Sequence, residues 1–182
     1  MSSKTHDYEK HAGDYAELGI EGTQYLAFRD IPRLIREHAG SIASALDYGC
    51  GAGRSTRFLK RLGFNVVGVD ASREMLEQAR SKDSSGEYHH IRSGHLPFEA
   101  ATFDLVFSSF VFLEVARLAE IESILREMKR VLRKDGRIIF VTSSMEATEG
   151  TWVSLSYAFP ENDRPLQSGD TIKLLIQGID VV

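Results

Sequence analysis

From Ile42 onward the chain alternates between short apolar runs bounded by glycine or an acid and longer segments in which apolar side chains recur every three or four positions. The short runs suit strands covered on both faces, and the longer ones suit amphipathic helices packed across them. Strands are expected at 42–48, 65–70, 88–91, 103–108 and 137–142. Between the first two, Phe58, Leu59 and Leu62 give a helix over 54–62 one apolar face, and Gly63 stops it. Ser72 caps the next helix, with Glu74 in the first turn where a negative charge suits the dipole and Met75, Leu76 and Ala79 facing inward. The clearest helical period covers 119–134, where Ile121, Ile124, Leu125, Met128, Val131 and Leu132 share a stripe that Asp135-Gly136 is expected to end. This alternation predicts a three-layer α/β sandwich around a mostly parallel central sheet.

The flanks follow other patterns. Ahead of the core, Tyr25, Leu26, Phe28, Ile31, Leu34 and Ile35 predict a helix bent or restarted at Pro32, which either lies over a ligand as a lid or packs against the sheet edge. After Thr142, 152–159 and 171–182 read as two strands joined by a polar loop that contains Pro160 and Pro165. The expected organisation is one domain, with a helical lid over 1–41, a core over 42–143 and a substrate-side or edge segment over 144–182. Its apolar ending, Ile179-Asp180-Val181-Val182, is expected either to belong to a truncated chain or to be an edge strand covered by another subunit of a homo-oligomer.

The chemistry concentrates where the first strand ends. Ala45-Leu46-Asp47-Tyr48 runs into Gly49-Cys50-Gly51-Ala52-Gly53, with glycines at alternate positions and a helix immediately after. Alternating glycines let the backbone turn sharply and approach a ligand closely, and a helix N-terminus presents unsatisfied N–H groups. A dinucleotide loop spaces its glycines G-x-G-x-x-G to seat a pyrophosphate. Here the third glycine arrives one residue early and Asp47 stands in front, so the loop suits a ligand carrying an ammonium or sulfonium. A second apolar strand, Val66-Val67-Gly68-Val69, ends in Asp70, 21 residues after Gly49. That is about the spacing at which a nucleoside-binding fold sets a carboxylate on ribose hydroxyls.

These segments, with Leu96-Pro97-Phe98, Phe103-Asp104-Leu105-Val106 and the basic run from Leu125 to Arg137, occur in an order that resembles the Rossmann-like (class I) S-adenosylmethionine-dependent methyltransferases. The resemblance covers about residues 8 to 143 and implies a Rossmann-like sheet whose closing C-terminal strands are missing or shortened here. It implies S-adenosyl-L-methionine as cofactor, S-adenosyl-L-homocysteine as product, and methyl transfer by direct in-line displacement to an acceptor that is most simply a small molecule. By position it implies Asp47, Gly49, Cys50 and Gly51 at the methionine end, Asp70 on the ribose, Ala71 and Met75 around adenine, and Ser108 near the methionine moiety. Tyr15, Tyr25 or Arg29 would reach the methionine end from the lid. Where similar sequences carry an acid for the adenine amine, this chain has Arg92, so Ser93, Gly94 and His95 are expected to supply that contact.

Composition narrows the picture. The chain has 182 residues, 42% of them hydrophobic and 26% charged, enough to bury a core but with no apolar run near the ~20 residues a helical membrane span needs. A net charge of −4 argues against a nucleic-acid surface, and one cysteine with no apolar leader points to the cytoplasm. Adjacent strand residues point to opposite faces, so His89 and His90 do not share a metal, and no metal site is expected. Arg126, Lys129, Arg130, Arg133 and Lys134 read as a solvated helix face. His11, His95 and Glu114 each qualify as a general base, and no spacing selects one. Alternatives to an enzyme of this kind are a non-catalytic cofactor-binding or interaction module on the same scaffold and a nicotinamide-dependent oxidoreductase, the latter disfavoured by the glycine spacing and Asp47.

Overall fold

A computed structural model describes residues 12–38, 43–144, 152, 155–157 and 175–176. Three short helices lead into the core: α1 (Ala12–Glu17), α2 (Thr23–Arg29) and α3 (Ile31–His38). The chain restarts at Asp30, so Pro32 falls in the first turn of α3, where a missing N–H costs no helical bond. Then β1 (Ser44–Tyr48), α4 (Arg54–Arg61), β2 (Asn65–Asp70), α5 (Arg73–Lys82), β3 (Glu87–His90), β4 (Phe103–Ser109), α6 (Leu118–Val131) and β5 (Leu132–Val141) follow. The sheet order is β3-β2-β1-β4-β5, with every pair parallel. Chain order reverses between β1 and β4, so the crevice outside their C-terminal ends is where such a sheet offers a ligand site.

Alternation along each strand supplies two cores. Leu46, Val69 and Val106 pack on one face with Ile124, Met128 and Val131 of α6. Ala45, Val66, Leu105 and Phe107 pack on the other with Phe28, Ile31, Ile35 and Leu59. Phe28 meets Phe58 edge-on at 5.1 Å between ring centroids. Thus α2 and α3 close one face of the sheet, whereas Ala12 and Ala16 of α1 pack on Ala52 and Met75 beside the glycine loop. A Lys82–Glu17 ion pair at 2.7 Å ties α1 to α5.

Two expectations change. The helix over 119–134 ends at Val131, because Leu132 turns extended and pairs with Phe103. The register then slips so that Leu105 faces Arg137, and Asp135-Gly136 lies in an irregularity within β5 rather than at a helix end. Arg133 anchors this irregularity by donating to Asp104 Oδ1 at 2.6 Å. The basic face of α6 is likewise only partly solvated. Arg130 donates to the carbonyls of Phe98 (2.7 Å) and Leu96 (2.9 Å), while Glu127 accepts from Arg130 and from the Leu96 N–H, so the Leu96-Pro97-Phe98 segment is clamped to α6. The C-terminal segment contributes a separate antiparallel pair, β6 (Leu155–Ser156) and β7 (Leu175–Ile176). The remainder of the two expected strands, the apolar chain end, His11 and Ile42 lie outside the described residues.

Candidate functional site

The glycine loop after β1 is held from two sides. Gly49 and Cys50 donate their N–H groups to the Val69 carbonyl, at 2.8 and 3.0 Å, and Gly51 N–H donates to Asp70 Oδ2 at 2.8 Å. Gly49 has φ +70°, and a Cβ there would overlap Val111 Cγ2. At Gly51, φ is +51° and the nearest atom to an added Cβ is Met75 Sδ at 3.9 Å, so hydrogen leaves open space there. Tyr88 fills the room behind the loop: its ring lies where a Cβ on Gly68 would reach 2.7 Å, and its hydroxyl donates to Asp83.

The loop forms the floor of a cavity of about 1010 Å³. Tyr15, Thr23, Gln24, Leu26 and Ala27 wall one side, and Gly49 to Ala52 with Arg54 and Ser55 form the floor. Asp70, Ala71, Ser72, Met75, Ile91 and Ser93 form a second side. The rest of the wall is made by Ser109 to Val111, Leu113 to Val115, Val141 to Ser144, Trp152, Leu155, Tyr157 and Ile176. Of the residues singled out from sequence, Tyr15, Gly49, Cys50, Gly51, Asp70, Ala71, Met75 and Ser93 stand on this wall.

Asp47, Gly94, His95 and Ser108 do not line it. Asp47 is fully buried beneath the loop, where Oδ2 accepts from Ser55 Oγ at 2.7 Å and Thr56 Oγ1 at 2.6 Å. It thereby fixes the first turn of α4 to the end of β1. Its Oδ1 has no partner, and burial pushes its pKa up to about 6 despite the two hydroxyls. Ser108 is buried because strand alternation turns it inward and puts its neighbour Ser109 on the wall. The N–H groups of Gly94, His95 and Leu96 are engaged by the Tyr48 hydroxyl, the Arg92 carbonyl and Glu127, which leaves Ser93 as the wall residue of that segment. Arg92 is exposed and off the wall. Arg29 is exposed and paired with Asp30 at 2.9 Å, and neither it nor Tyr25 lines the cavity.

Asp70 is placed differently from Asp47. Its oxygens accept from Gly51 N–H and Ser72 N–H, both at 2.8 Å, and a carboxylate with one bond per oxygen keeps lone pairs for further donors. Burial raises its pKa against the lowering by the backbone N–H groups of Ser72, Gly51 and Ala71. A partly occupied carboxylate beside a loop whose glycine leaves open space is the arrangement a ribose diol needs. Burial also raises the pKa of the Cys50 thiol and the Tyr48 phenol, so both stay protonated.

Comparison with known proteins agrees with this geometry. Residues 46–140 match the family model described as a methyltransferase domain, the stretch that runs from β1 through β5. The chain belongs to the S-adenosylmethionine-dependent methyltransferases. S-adenosylmethionine is the cofactor of that family, and the loop, Asp70 and the open side of Gly51 fit it. Similar proteins include a malonyl-[acyl-carrier protein] O-methyltransferase of Salmonella typhimurium, 36% identical over 55% of this chain and 39% of that one. Another of the same name from Hamiltonella defensa is 31% identical over 80% of this chain and 51% of that one. The chain thus spans about half or less of the length of these relatives. An S-adenosylmethionine-dependent methyltransferase structure from Mesorhizobium loti is 26% identical, with TM-score 0.52 over 64% of this chain and 53% of that one.

Three wall features carry no sequence signal: Arg54 has the pattern only of a helix start, Gln24 has none, and Phe110 gives no sign of strain. Phe110 holds φ +63°, a conformation that costs a bulky residue on the order of 1–3 kcal/mol and clusters at functional sites. A phenylalanine after a strand gives no sequence signal of that strain.

Proposed function

We propose that this methyltransferase methylates a carboxylate oxygen of a small acyl acceptor, such as the free carboxylate of a malonyl thioester. The cofactor supplies an electrophilic methyl group on sulfonium, ready for in-line attack. The observation that carries the reading is the size of the cavity. At about 1010 Å³ the cavity is at the top of the ~300–1,000 Å³ range of single-ligand sites, so it has room for an acceptor beside the cofactor.

Near the loop, Cys50 and Tyr48 hold their protons, and Asp70 already accepts from two backbone N–H groups. An acceptor that arrives ionised needs no base. The protein then contributes position and exclusion of water: Asp70 and the loop orient the nucleoside, while Val111, Val115 and Trp152 give the cavity apolar walls. The names of the two curated relatives, which specify O-methylation of a malonyl carrier protein, support the same acceptor class.

A second reading rests on Glu114, a carboxylate on the cavity wall. It would serve as base for a protic acceptor, an amine or hydroxyl. The test is a panel of malonyl thioesters, primary amines and phenols incubated with S-adenosylmethionine, following S-adenosylhomocysteine and the methylated product by mass. Turnover confined to carboxylates and retained in Glu114→Gln supports ester formation. Turnover confined to protic acceptors and lost in Glu114→Gln overturns it, and tight cofactor binding without turnover favours a binding module.

A further inference from the structure

Two sides of α6 are engaged within the chain. Ile124, Met128 and Val131 are fully buried against the sheet. On one flank Glu120 accepts from Ser93 Oγ at 2.7 Å, Ser123 Oγ donates to the Gly94 carbonyl, and Glu127 and Arg130 hold Leu96 and Phe98, so that side is spent on the segment after β3. The opposite flank is apolar and open. At about 100° per residue it carries Leu118, Ile121 and Leu125, spaced i, i+3 and i+7. Leu118 is 70% exposed and Leu125 37%.

The apolar surface continues onto the sheet. Phe140 points to the same face as Ile138, which packs against the α6 cluster, and its ring meets Phe112 edge-on at 5.0 Å while staying 43% exposed. The sheet ends at β5, so among the described residues the outer edge of that strand has no neighbour. Single exposed leucines are common on surfaces, but an apolar helix flank, an aromatic ring and an open strand edge together mark a contact surface.

The charges at the rim of this flank say what fits it. Glu122 and Lys129 lie on its solvent side, and neither has an ion-pair partner among the described residues. When two α6 helices pack antiparallel about a two-fold axis at Leu125, Leu125 meets its own counterpart, Leu118 meets Leu132, and Glu122 meets Lys129 of the other copy. One register thus joins the leucines and pairs the opposite charges twice.

We propose that this chain forms a two-fold symmetric dimer through the outer flank of α6, with Glu122 and Lys129 as its paired rim charges. An axis along the sheet normal also sets the outer edge of β5 antiparallel to its own copy, beside Phe140. Leu118, Glu122, Leu125, Lys129 and Phe140 all lie off the cavity wall, so the dimer is independent of the cofactor reading.

The test is sedimentation equilibrium on the full chain across a micromolar concentration series, with fold checked by circular dichroism. A saturable dimer is expected in the wild type, and Leu118→Glu with Leu125→Glu should weaken association by about 100-fold or more. Glu122→Lys alone, or Lys129→Glu alone, sets like charges together at two symmetric sites and should weaken it by about 3- to 30-fold. The variant carrying both exchanges should recover wild-type association, which keeps the test decisive should the leucine variant unfold. Leu125→Cys, on the axis, should cross-link to its own copy under mild oxidation, because the native Cys50 is buried. A chain that stays monomeric, a dimer indifferent to the two leucines, or charge reversals that the exchange does not rescue would overturn the proposal. So would a monomer in which the thiol of Leu125→Cys resists labelling, which would put another segment of the chain over this flank.

Discussion

The turns that end β1 and β2 carry the same sequence signature, an apolar strand closed by an acid, and the fold uses them in opposite ways. Asp47 is sealed beneath the glycine loop, bound to two hydroxyls of α4, with one oxygen unpartnered. Asp70 stands on the cavity wall and grips two backbone N–H groups while keeping acceptor capacity. The first acid builds the loop and the second lines the cavity. Identical local patterns diverge because Ser55 and Thr56 of α4 close over Asp47 at the end of β1, whereas Asp70 at the end of β2 is met by two backbone N–H groups and stands on the cavity wall.

Breaking each acid should therefore break a different property. Asp47→Ala strands two buried hydroxyls and empties their acceptor site, and is expected to destabilise the fold by about 3 kcal/mol, read from urea unfolding. Where the variant is folded, its affinity for S-adenosylhomocysteine should stay within about threefold of wild type. A large affinity loss at unchanged stability would move Asp47 into the ligand site.

The same burial gives a pH signature of nearly equal size. The folded carboxyl of Asp47 is pushed up to about 6 from 3.8, so the folded state binds that proton more tightly than the unfolded chain. Its contribution is fully present below the unfolded pKa and is lost as pH rises from about 4 to about 6, on the order of 3 kcal/mol in all. Asp47→Asn should flatten that part of the stability profile across pH 4 to 7. A wild-type profile already flat there would mean that the carboxylate is better solvated than its surroundings allow.

Asp70→Ala sharpens the comparison from the other side. Loss of the ribose partner and of the Gly51 tether should weaken S-adenosylhomocysteine by about 2 kcal/mol in calorimetry, with a smaller effect on unfolding than Asp47→Ala. Equal affinity in variant and wild type would remove Asp70 from the site.

The smallest effect belongs to the clamp on the Leu96-Pro97-Phe98 segment, away from both turns. Arg130 and the Leu96 N–H hold the Glu127 carboxyl down at about 2, so its contribution is present above the ordinary glutamate pKa and is lost as pH falls toward 2. Glu127→Gln should cost about 1 kcal/mol at neutral pH and less in acid, by thermal unfolding. A cost that grows in acid would contradict the pairing.

These outcomes also mark what a sequence can tell. The loop, Asp70, Ala71 and Met75 were legible because each lies within a few residues of a strand end, where local spacing sets position. The parallel sheet followed from the alternation of strands and helices. Asp47 orients the turn as expected, but its place beneath the loop depends on Ser55 and Thr56 folding back over it, which an acid before a glycine does not announce. Arg54 was invisible for the converse reason: its surroundings come from Gly19, 35 positions earlier in the chain, and from Phe28, a residue whose own period marked it only as core. Asp135-Gly136 read as a helix stop because nothing local records that Leu132 pairs with Phe103.

The central claim, that the crevice between β1 and β4 is the cofactor site and Asp70 its ribose contact, is tested most directly by titrating S-adenosylhomocysteine into the wild-type chain and the Asp70→Ala variant under one buffer. The structure predicts saturable one-to-one binding in the wild type and an affinity lower by a factor of about 30 in the variant. Absent saturable binding in the wild type, or equal affinity in both proteins, would contradict it.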